Sequence, residues 1–525
     1  MTTRPTRVLF ATSNGTGLGH LNRAMAIGRR LPEGHEPVLF TLSQAAPVVA
    51  RAGFRVEYHP AYRRPASGSD WQWNLRLRRR LEALLEAEGP DLVVFDGVHP
   101  YRALTHVLTA AGAPPSIWCR RPLWRAGSSA APLRRTGAFD AVLEPGELAG
   151  SRDRGPTAAR RAEAIGVDPI VYLDPDELLG RERAAAELGL DPERITALVN
   201  LGQGGATDDA VARVLARLRA EPELQVAALE SSIGAGLTVP DGVVRLRATF
   251  PMSRYLRAFD LAVAAAGYNS FHELIAFAVP TLFVPMPRNT DDQAARAGWA
   301  ADAGVGRAVR GPGDEAIAGE LEVLLDPGER ARLAAACQEA FPGNGAGAAA
   351  ALVAAAARGE EPKPRVRRPG RLNRWLRYSS HPVGPSLPLA LGLTARDLGR
   401  HPERRRPRAL ISAFGVAEGE LEGRLVAAIA ALGVPPGRIL VVTDTLELAT
   451  MRGLGLGFQR LPTASELGLG PDSHAYLERV EDRVEAILAP WRGSWPVAGI
   501  GPVPAALRTR AAGPIREPAV AGVRA

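Results

Sequence analysis

The stretch Ser13-Asn14-Gly15-Thr16-Gly17-Leu18-Gly19-His20 ends in an imidazole directly after a glycine-rich turn, and Asp96 closes the apolar run Asp91-Leu92-Val93-Val94-Phe95-Asp96. A carboxylate bonded to one imidazole nitrogen orients the ring and raises the basicity of the other, which then takes a proton from a hydroxyl. His20 and Asp96 are therefore a candidate general base and its support, although the same residues would equally well cap a helix and bind the next turn. A second stretch, Gly202-Gln203-Gly204-Gly205-Ala206, lies between a strand pattern and a helix pattern, where free N–H groups suit a phosphate or diphosphate. Further on runs Gly267-Tyr268-Asn269-Ser270-Phe271-His272-Glu273, followed by Asp291-Asp292-Gln293. Glu273 would accept two hydrogen bonds from a ribose diol beside a helix N-terminus. Its competing role is a capping box with Ser270, which stands three residues before it.

Elements able to hold these groups are visible in the hydrophobic pattern. Three times an apolar run, a glycine-containing turn and a helical pattern follow one another: Arg7–Thr12 with Leu21–Arg30, Thr196–Leu201 with Asp208–Leu218, and Arg408–Phe414 with Glu418–Leu432. Apolar strands without polar alternation, separated by helices, indicate parallel sheets covered on both faces. Further strands are expected at Pro37–Leu42, Asp91–Phe95, Ala141–Leu143, Gln225–Leu229, Leu261–Ala265, Thr281–Val284 and Arg438–Val442. The expected organisation is α/β. One doubly wound, Rossmann-like domain covers residues 1–165 and a second covers 166–360. A basic Pro/Arg-rich linker spans 361–407, a small α/β module 408–500 and a disordered tail 501–525. Open sheets of this kind bind ligands at the carboxyl ends of their strands, where His20 and Asp96 would both stand.

Other chemistries fit less well. A dinucleotide site needs a third glycine where His20 stands and an acidic residue about twenty positions on, but the second strand ends Thr41-Leu42-Ser43. No Asp-x-Asp pair lies near a diphosphate loop, so neither a metal nor an organic cofactor is expected. Asp444, between Thr443 and Thr445, reads as a turn, and residues 408–500 receive a structural or acceptor-binding role.

Taken together, the order Gly-x-Gly-His, Gly-Gln-Gly-Gly, Gly-Tyr-Asn-Ser-x-x-Glu, Val-Pro and Asp-Gln resembles the GT-B nucleotide-sugar glycosyltransferases. The likeness is to the bacterial lipid-intermediate N-acetylglucosaminyltransferases of peptidoglycan synthesis and to the UDP-glycosyltransferases, and it runs over about residues 6–355. It implies two Rossmann-like domains facing a cleft and transfer of a sugar from a UDP-sugar co-substrate to an acceptor hydroxyl. By the resemblance, Glu273 binds the donor ribose, and Gln203, Gly204 and Gly205 bind the diphosphate. Asp292 and Gln293 bind sugar hydroxyls, and the stretch containing Thr249 lies against the base. Gly267, Asn269 and Ser270 belong to the same donor site. His20 is the base supported by Asp96, with Asn14, Gly15, Thr16, Gly17 and Gly19 as the acceptor-side loop. The chain departs from the pattern at Arg23, where many UDP-glycosyltransferases have proline, and in lacking a Gly-Gly-Ser start to the second loop. A UDP-sugar 2-epimerase of the same fold and a noncatalytic nucleotide-sugar-binding protein are the competing functions.

Charge and composition bear on partners. The 525 residues carry a net charge of +8, yet residues 361–410 hold thirteen basic side chains against Glu361, Asp397 and Glu403, so the excess belongs to one segment. Arginines mixed with aromatics at Tyr62–Arg80 and Arg371–Tyr378 suggest contact with an anionic membrane surface and a lipid-linked or cell-envelope acceptor. Their competing role is as solvated helix faces in an arginine-biased proteome. Aromatics are too few for a nucleic-acid stacking platform, so nucleic acid is not an expected partner. Two cysteines exclude a disulfide framework, and neither a signal peptide nor an apolar run of about 18 residues is present. A cytoplasmic protein, peripheral at the inner face of a membrane, is expected.

Overall fold

The computed structural model describes residues 4–13, 18–62, 70–202, 206–230, 239–246, 249–309, 314–364, 366, 407–417, 419–465, 470, 473–488 and 494–517. Three parallel sheets organise them. The first holds β1 (Thr6–Thr12), β2 (His35–Thr41), β3 (Arg55–Tyr58), β4 (Leu92–Asp96), β5 (Ser116–Cys119), β6 (Ala141–Glu144) and β7 (Ala164–Gly166), in the order β3-β2-β1-β4-β5-β6-β7. The second holds β8 (Ile195–Asn200), β9 (Leu224–Leu229), β10 (Val243–Leu246), β11 (Leu261–Ala264), β12 (Thr281–Phe283) and β13 (Arg307–Ala308), in the order β10-β9-β8-β11-β12-β13. The third holds β14 (Ala409–Ala413), β15 (Ile439–Thr443), β16 (Gly457–Arg460) and β17 (Val497–Gly499), in the order β16-β15-β14-β17.

In each sheet the third, second, first and fourth strands are neighbours, so each has a reversal of winding beside its first strand. Ligands of open α/β sheets bind at that reversal. Burial on both faces explains the unbroken apolar runs: Val8, Leu9, Phe10 and Ala11 of β1 are all inside. The short strands β3, β5, β7, β10, β13, β16 and β17 escaped the sequence reading.

The structure corrects three boundaries. Helix Ala346–Ala357, assigned to the second domain, crosses back and packs on helix Gly19–Gly28, β1 and β4 of the first. Its small side chains allow close approach to that sheet, and Ala346, Ala349, Ala350 and Val353 are buried. Residues 501–517, expected as disordered tail, belong to the third module. Ala505–Arg508 is helical, and Arg516 runs beside β17, its N–H bonding the Val497 carbonyl (2.9 Å). Val366, inside the expected linker, is buried and its N–H bonds the Asp140 carbonyl of the first domain at 2.8 Å; residues 371–406 lie outside the described residues.

The third module docks on the β3 edge. Tyr58 stacks on Phe458 with ring centroids 5.7 Å apart, and buried Arg460 donates Nη1 to the Val56 carbonyl at 2.9 Å. Glu57 meets Arg80 at 3.1 Å and also pairs with Arg483. Trp73 and Arg80, grouped with a membrane-facing surface in the sequence, therefore point inward, at 3% exposure each.

Candidate active site

His20 is the second residue of helix Gly19–Gly28, which follows β1; Asp96 ends β4, in register with Thr12 on one side and Cys119 on the other. Both stand at the reversal point of the first sheet. The chain leaves Asp96 through Gly97, where a Cβ would lie 2.5 Å from the Phe95 ring and 2.8 Å from Ser13, so only glycine lets β4 end this close to β1. His20 Nδ1 lies 2.6 Å from Asp96 Oδ1. The pairing expected from the sequence is thus brought together.

Sequence reasoning noted Arg23 only as a departure and gave it no role. It is 2% exposed and grips the same carboxylate twice, Nη2 to Oδ1 at 2.6 Å and Nε to Oδ2 at 3.0 Å. Its spacing three residues after His20, on one helix face, was the available signal. Burial pushes the Asp96 carboxyl up, but Arg23 and His20 more than offset this and hold it below the ordinary range. Burial pulls down on the Arg23 guanidinium, and Asp96 reverses the sign. For His20, burial lowers the pKa; Asp96 opposes it, and Arg23 and Arg121 add to it. Burial therefore favours the neutral ring, the form able to receive a proton.

In the second domain, helix Tyr268–Ala276 starts directly beyond β11, with Gly267 as its N-cap residue. Ser270 is therefore already inside the helix, and the capping box with Glu273 does not form. Asn269 Nδ2 donates to the Gly19 carbonyl at 3.3 Å, and Asn22 Nδ2 donates to Glu273 Oε1 at 3.1 Å. These bonds put the donor-side candidates against the helix that carries His20. Burial pushes the Glu273 carboxyl up to about 7, against the opposing bonds from Asn22 and the Tyr172 backbone.

The other candidates divide. Asp292 caps helix Gln293–Asp302, accepting the Ala295 N–H at 3.0 Å. Gln293 accepts from the Met286 N–H at 3.0 Å and turns its amide nitrogen toward Asp291, 3.4 Å away. Thr249 lies between β10 and the turn Met252–Ala258. Gly19 opens the acceptor-side helix. Asn14, Gly15, Thr16 and Gly17, together with Gln203, Gly204 and Gly205, lie outside the described residues.

A buried charge network, also absent from the sequence reading, joins the two domains beside this site. Arg296 bonds Asp291 (2.6 Å) and reaches across to Glu147 (2.9 Å), while Arg121 reaches back to Asp291 (3.0 Å). Against burial, which raises both carboxyls, their arginines hold Asp291 and Glu147 at about 2. Nδ1 of His272 faces the Tyr268 carbonyl at 2.7 Å and so carries the hydrogen, leaving Nε2 to accept the Leu148 N–H at 3.3 Å. Tyr268 completes the seam: its hydroxyl donates to the Gly146 carbonyl (2.8 Å), and its ring faces the Arg23 guanidinium at 5.0 Å.

Residues 243–326, which include Thr249, Asn269, Glu273, Asp292 and Gln293, match the family model of the glycosyltransferase family 28 C-terminal domain. The chain resembles the GT-B nucleotide-sugar glycosyltransferases. Among curated relatives, it is 31% identical over 228 residues to a UDP-N-acetylglucosamine--N-acetylmuramyl-(pentapeptide) pyrophosphoryl-undecaprenol N-acetylglucosamine transferase of Clavibacter sepedonicus, covering 41% of this chain and 60% of that relative. The chain thus spans less than two thirds of that relative's length. Among solved structures, the glycotransferase of kitacinnamycin is 18% identical with a TM-score of 0.47, covering 69% of this chain and 100% of the other. A putative UDP-N-acetylglucosamine 2-epimerase from Listeria monocytogenes gives 15% identity and a TM-score of 0.47, over 70% and 98%. At these scores the superpositions do not choose between transferase and epimerase. Among the described residues, no helix is long and apolar enough to cross a membrane.

Proposed function

We propose that the protein is a glycosyltransferase that moves a sugar from a UDP-type nucleotide donor to an acceptor hydroxyl. The observation that carries this reading is the meeting of His20, backed by Asp96 at 2.6 Å, with the helix holding Asn269 and Glu273. The reading is supported by the approach of the imidazole and the Glu273 carboxylate from two domains, joined through the Asn22–Glu273 and Asn269–Gly19 bonds.

In the proposed reaction the acceptor hydroxyl attacks the anomeric carbon while His20 takes its proton, a contribution of about 10²–10⁴-fold in rate. The bond to the nucleoside diphosphate breaks on the opposite side, so the anomeric configuration inverts. Negative charge developing on the diphosphate would be met by the amides of Gln203, Gly204 and Gly205 and by the helix start that follows them, without a metal in the scheme. Glu273 would hold the ribose once Asn22 gives way. Thr249 would lie by the base, and Asp292 and Gln293 by the sugar. The acceptor is proposed to be a lipid-linked or cell-envelope intermediate, because the Clavibacter relative is named for a pyrophosphoryl-undecaprenol substrate; a place at the inner face of a membrane is proposed with it.

The test supplies UDP-sugars with and without a lipid-linked hydroxyl acceptor. Product formed only when both are present supports transfer. An altered sugar from the donor alone would make the protein an epimerase, and donor binding without turnover under any condition would make it a binding protein.

A further inference from the structure

The geometry points to Arg23 as a positioning residue for proton transfer: by holding both oxygens of Asp96, its guanidinium decides which ring nitrogen of His20 carries the hydrogen. This inference rests on His20 being the base, and the two are separable by the experiment below.

Asp96 is 2% exposed, and burial alone favours its neutral form. Two bonds from Arg23, at 2.6 and 3.0 Å, are the fork-on-carboxylate arrangement that keeps it ionised. An ionised oxygen only accepts. His20 Nδ1 faces both Asp96 Oδ1, at 2.6 Å, and Arg23 Nη2, at 3.1 Å; the shorter contact, to an oxygen that only accepts, assigns the hydrogen to Nδ1 and leaves the lone pair on Nε2. A protonated Asp96 would donate to Nδ1 instead and drive the ring hydrogen onto Nε2, where it would block attack on a hydroxyl proton.

The surroundings agree with this assignment. The charged and titratable groups facing the ring are Asp96 from β4, Arg23 from its own helix and Arg121 from the segment after β5; Cys119 and the second domain's Tyr268 act on the Arg23–Asp96 pair. Burial lowers the His20 pKa and Asp96 raises it, while Arg23 offsets part of that rise. In the triad His20 keeps 17% side-chain exposure against 2% for Asp96 and Arg23, so the imidazole is the part open to a substrate. Because the guanidinium also rests on the Tyr268 ring, it connects the base to the helix that holds Glu273.

The experiment records imidazole 15N signals of the full chain across pH, assigned with His20→Ala, for wild type, Arg23→Met and Arg23→Gln, alongside steady-state kinetics. We expect the His20 midpoint to rise by about half a pH unit or more, or the neutral tautomer to reverse, in both variants. Arg23→Lys, which keeps the charge, should restore part of the wild-type behaviour. In the same variants kcat should fall about tenfold or more with donor KM within about twofold, and the acid limb of kcat/KM should follow the ring. A wild-type tautomer and midpoint in whichever of the two neutral variants folds would overturn the inference. A changed ring with unchanged kcat would instead uphold the Arg23 assignment and remove His20 from the role of base.

Discussion

The two domains use the same device where they meet and reach opposite electrical states. In each domain a parallel strand ends at the reversal of winding, a helix starts, and a carboxylate is carried inward. Burial pushes both acids up. Asp96 has an arginine on both oxygens and stays below its ordinary range; Glu273 is met by the Asn22 amide and the Tyr172 backbone, and rises to about 7. Depth alone therefore does not decide the charge of a buried carboxylate; its partner does. On the first side Asp96 keeps its charge, as the proposed base role of His20 requires. The second rests close to balance at neutral pH, where hydroxyl donors from a ligand would favour the ionised form.

The largest expected effect belongs to the first side. His20→Ala should lower turnover by about 10²–10⁴-fold, with donor affinity nearly unchanged, as read from kcat and from calorimetric titration with the donor. A parallel loss of donor affinity would put His20 on the donor side and erase the division between the two regions. Next comes Asp96→Asn, which leaves the Arg23 guanidinium buried without its counter-ion. Breaking a buried pair in this way typically costs about 3–5 kcal/mol, measurable as a lower denaturant midpoint at unchanged slope. Stability equal to wild type would mean that solvent, not Asp96, balances Arg23.

Much of this division was legible before any coordinates. The apolar runs that became β1, β4, β8, β11, β14 and β15 are long or regular enough to identify, and His20 and Asp96 followed from their places at strand ends. The missed strands have physical reasons. β3, Arg55–Tyr58, alternates charge with apolar residues because its Arg55 and Glu57 serve ion pairs at the edge that the third module covers. β13 is two residues long. The Arg121–Asp291–Arg296–Glu147 seam joins positions up to 175 residues apart, a relation that no local pattern encodes. Arg23 was hidden by composition: with 63 arginines and Lys363 as the single lysine, an individual guanidinium gives little signal, although its i+3 spacing from His20 was there to be read. Ser270 misled in the other direction, since its spacing to Glu273 imitates a cap, whereas the helix starts at Tyr268.

Smaller effects sharpen the contrast on the second side. Glu273→Gln should weaken donor binding about tenfold, the difference between charged and neutral hydrogen-bond acceptors, with little change in kcat. Unchanged affinity in calorimetry would take the ribose away from this residue.

The smallest effect is a matter of sign. The Glu273 carboxyl titrates near 7 in the folded chain and near 4.5 when unfolded. Between those values the native state keeps a proton that the unfolded chain has released, so stability contributed at this position falls as pH rises from about 4.5 to about 7 and is flat above. Glu273→Gln removes that penalty. The variant should match wild type near pH 4.5 and exceed it by about 1–2 kcal/mol at pH 8, after discounting for the solvent contact its half-buried side chain keeps. Asp96 tilts the other way. Its depressed pKa contributes stability that is complete above the ordinary value of 3.8 and is lost as pH falls through the lower folded value. Melting curves for the two proteins between pH 4 and 8 therefore test whether the regions differ as described. Parallel curves would mean that neutral donors hold Glu273 ionised as well as an arginine holds Asp96, and the asymmetry between a proton-accepting side and a donor-binding side would lose its electrostatic basis.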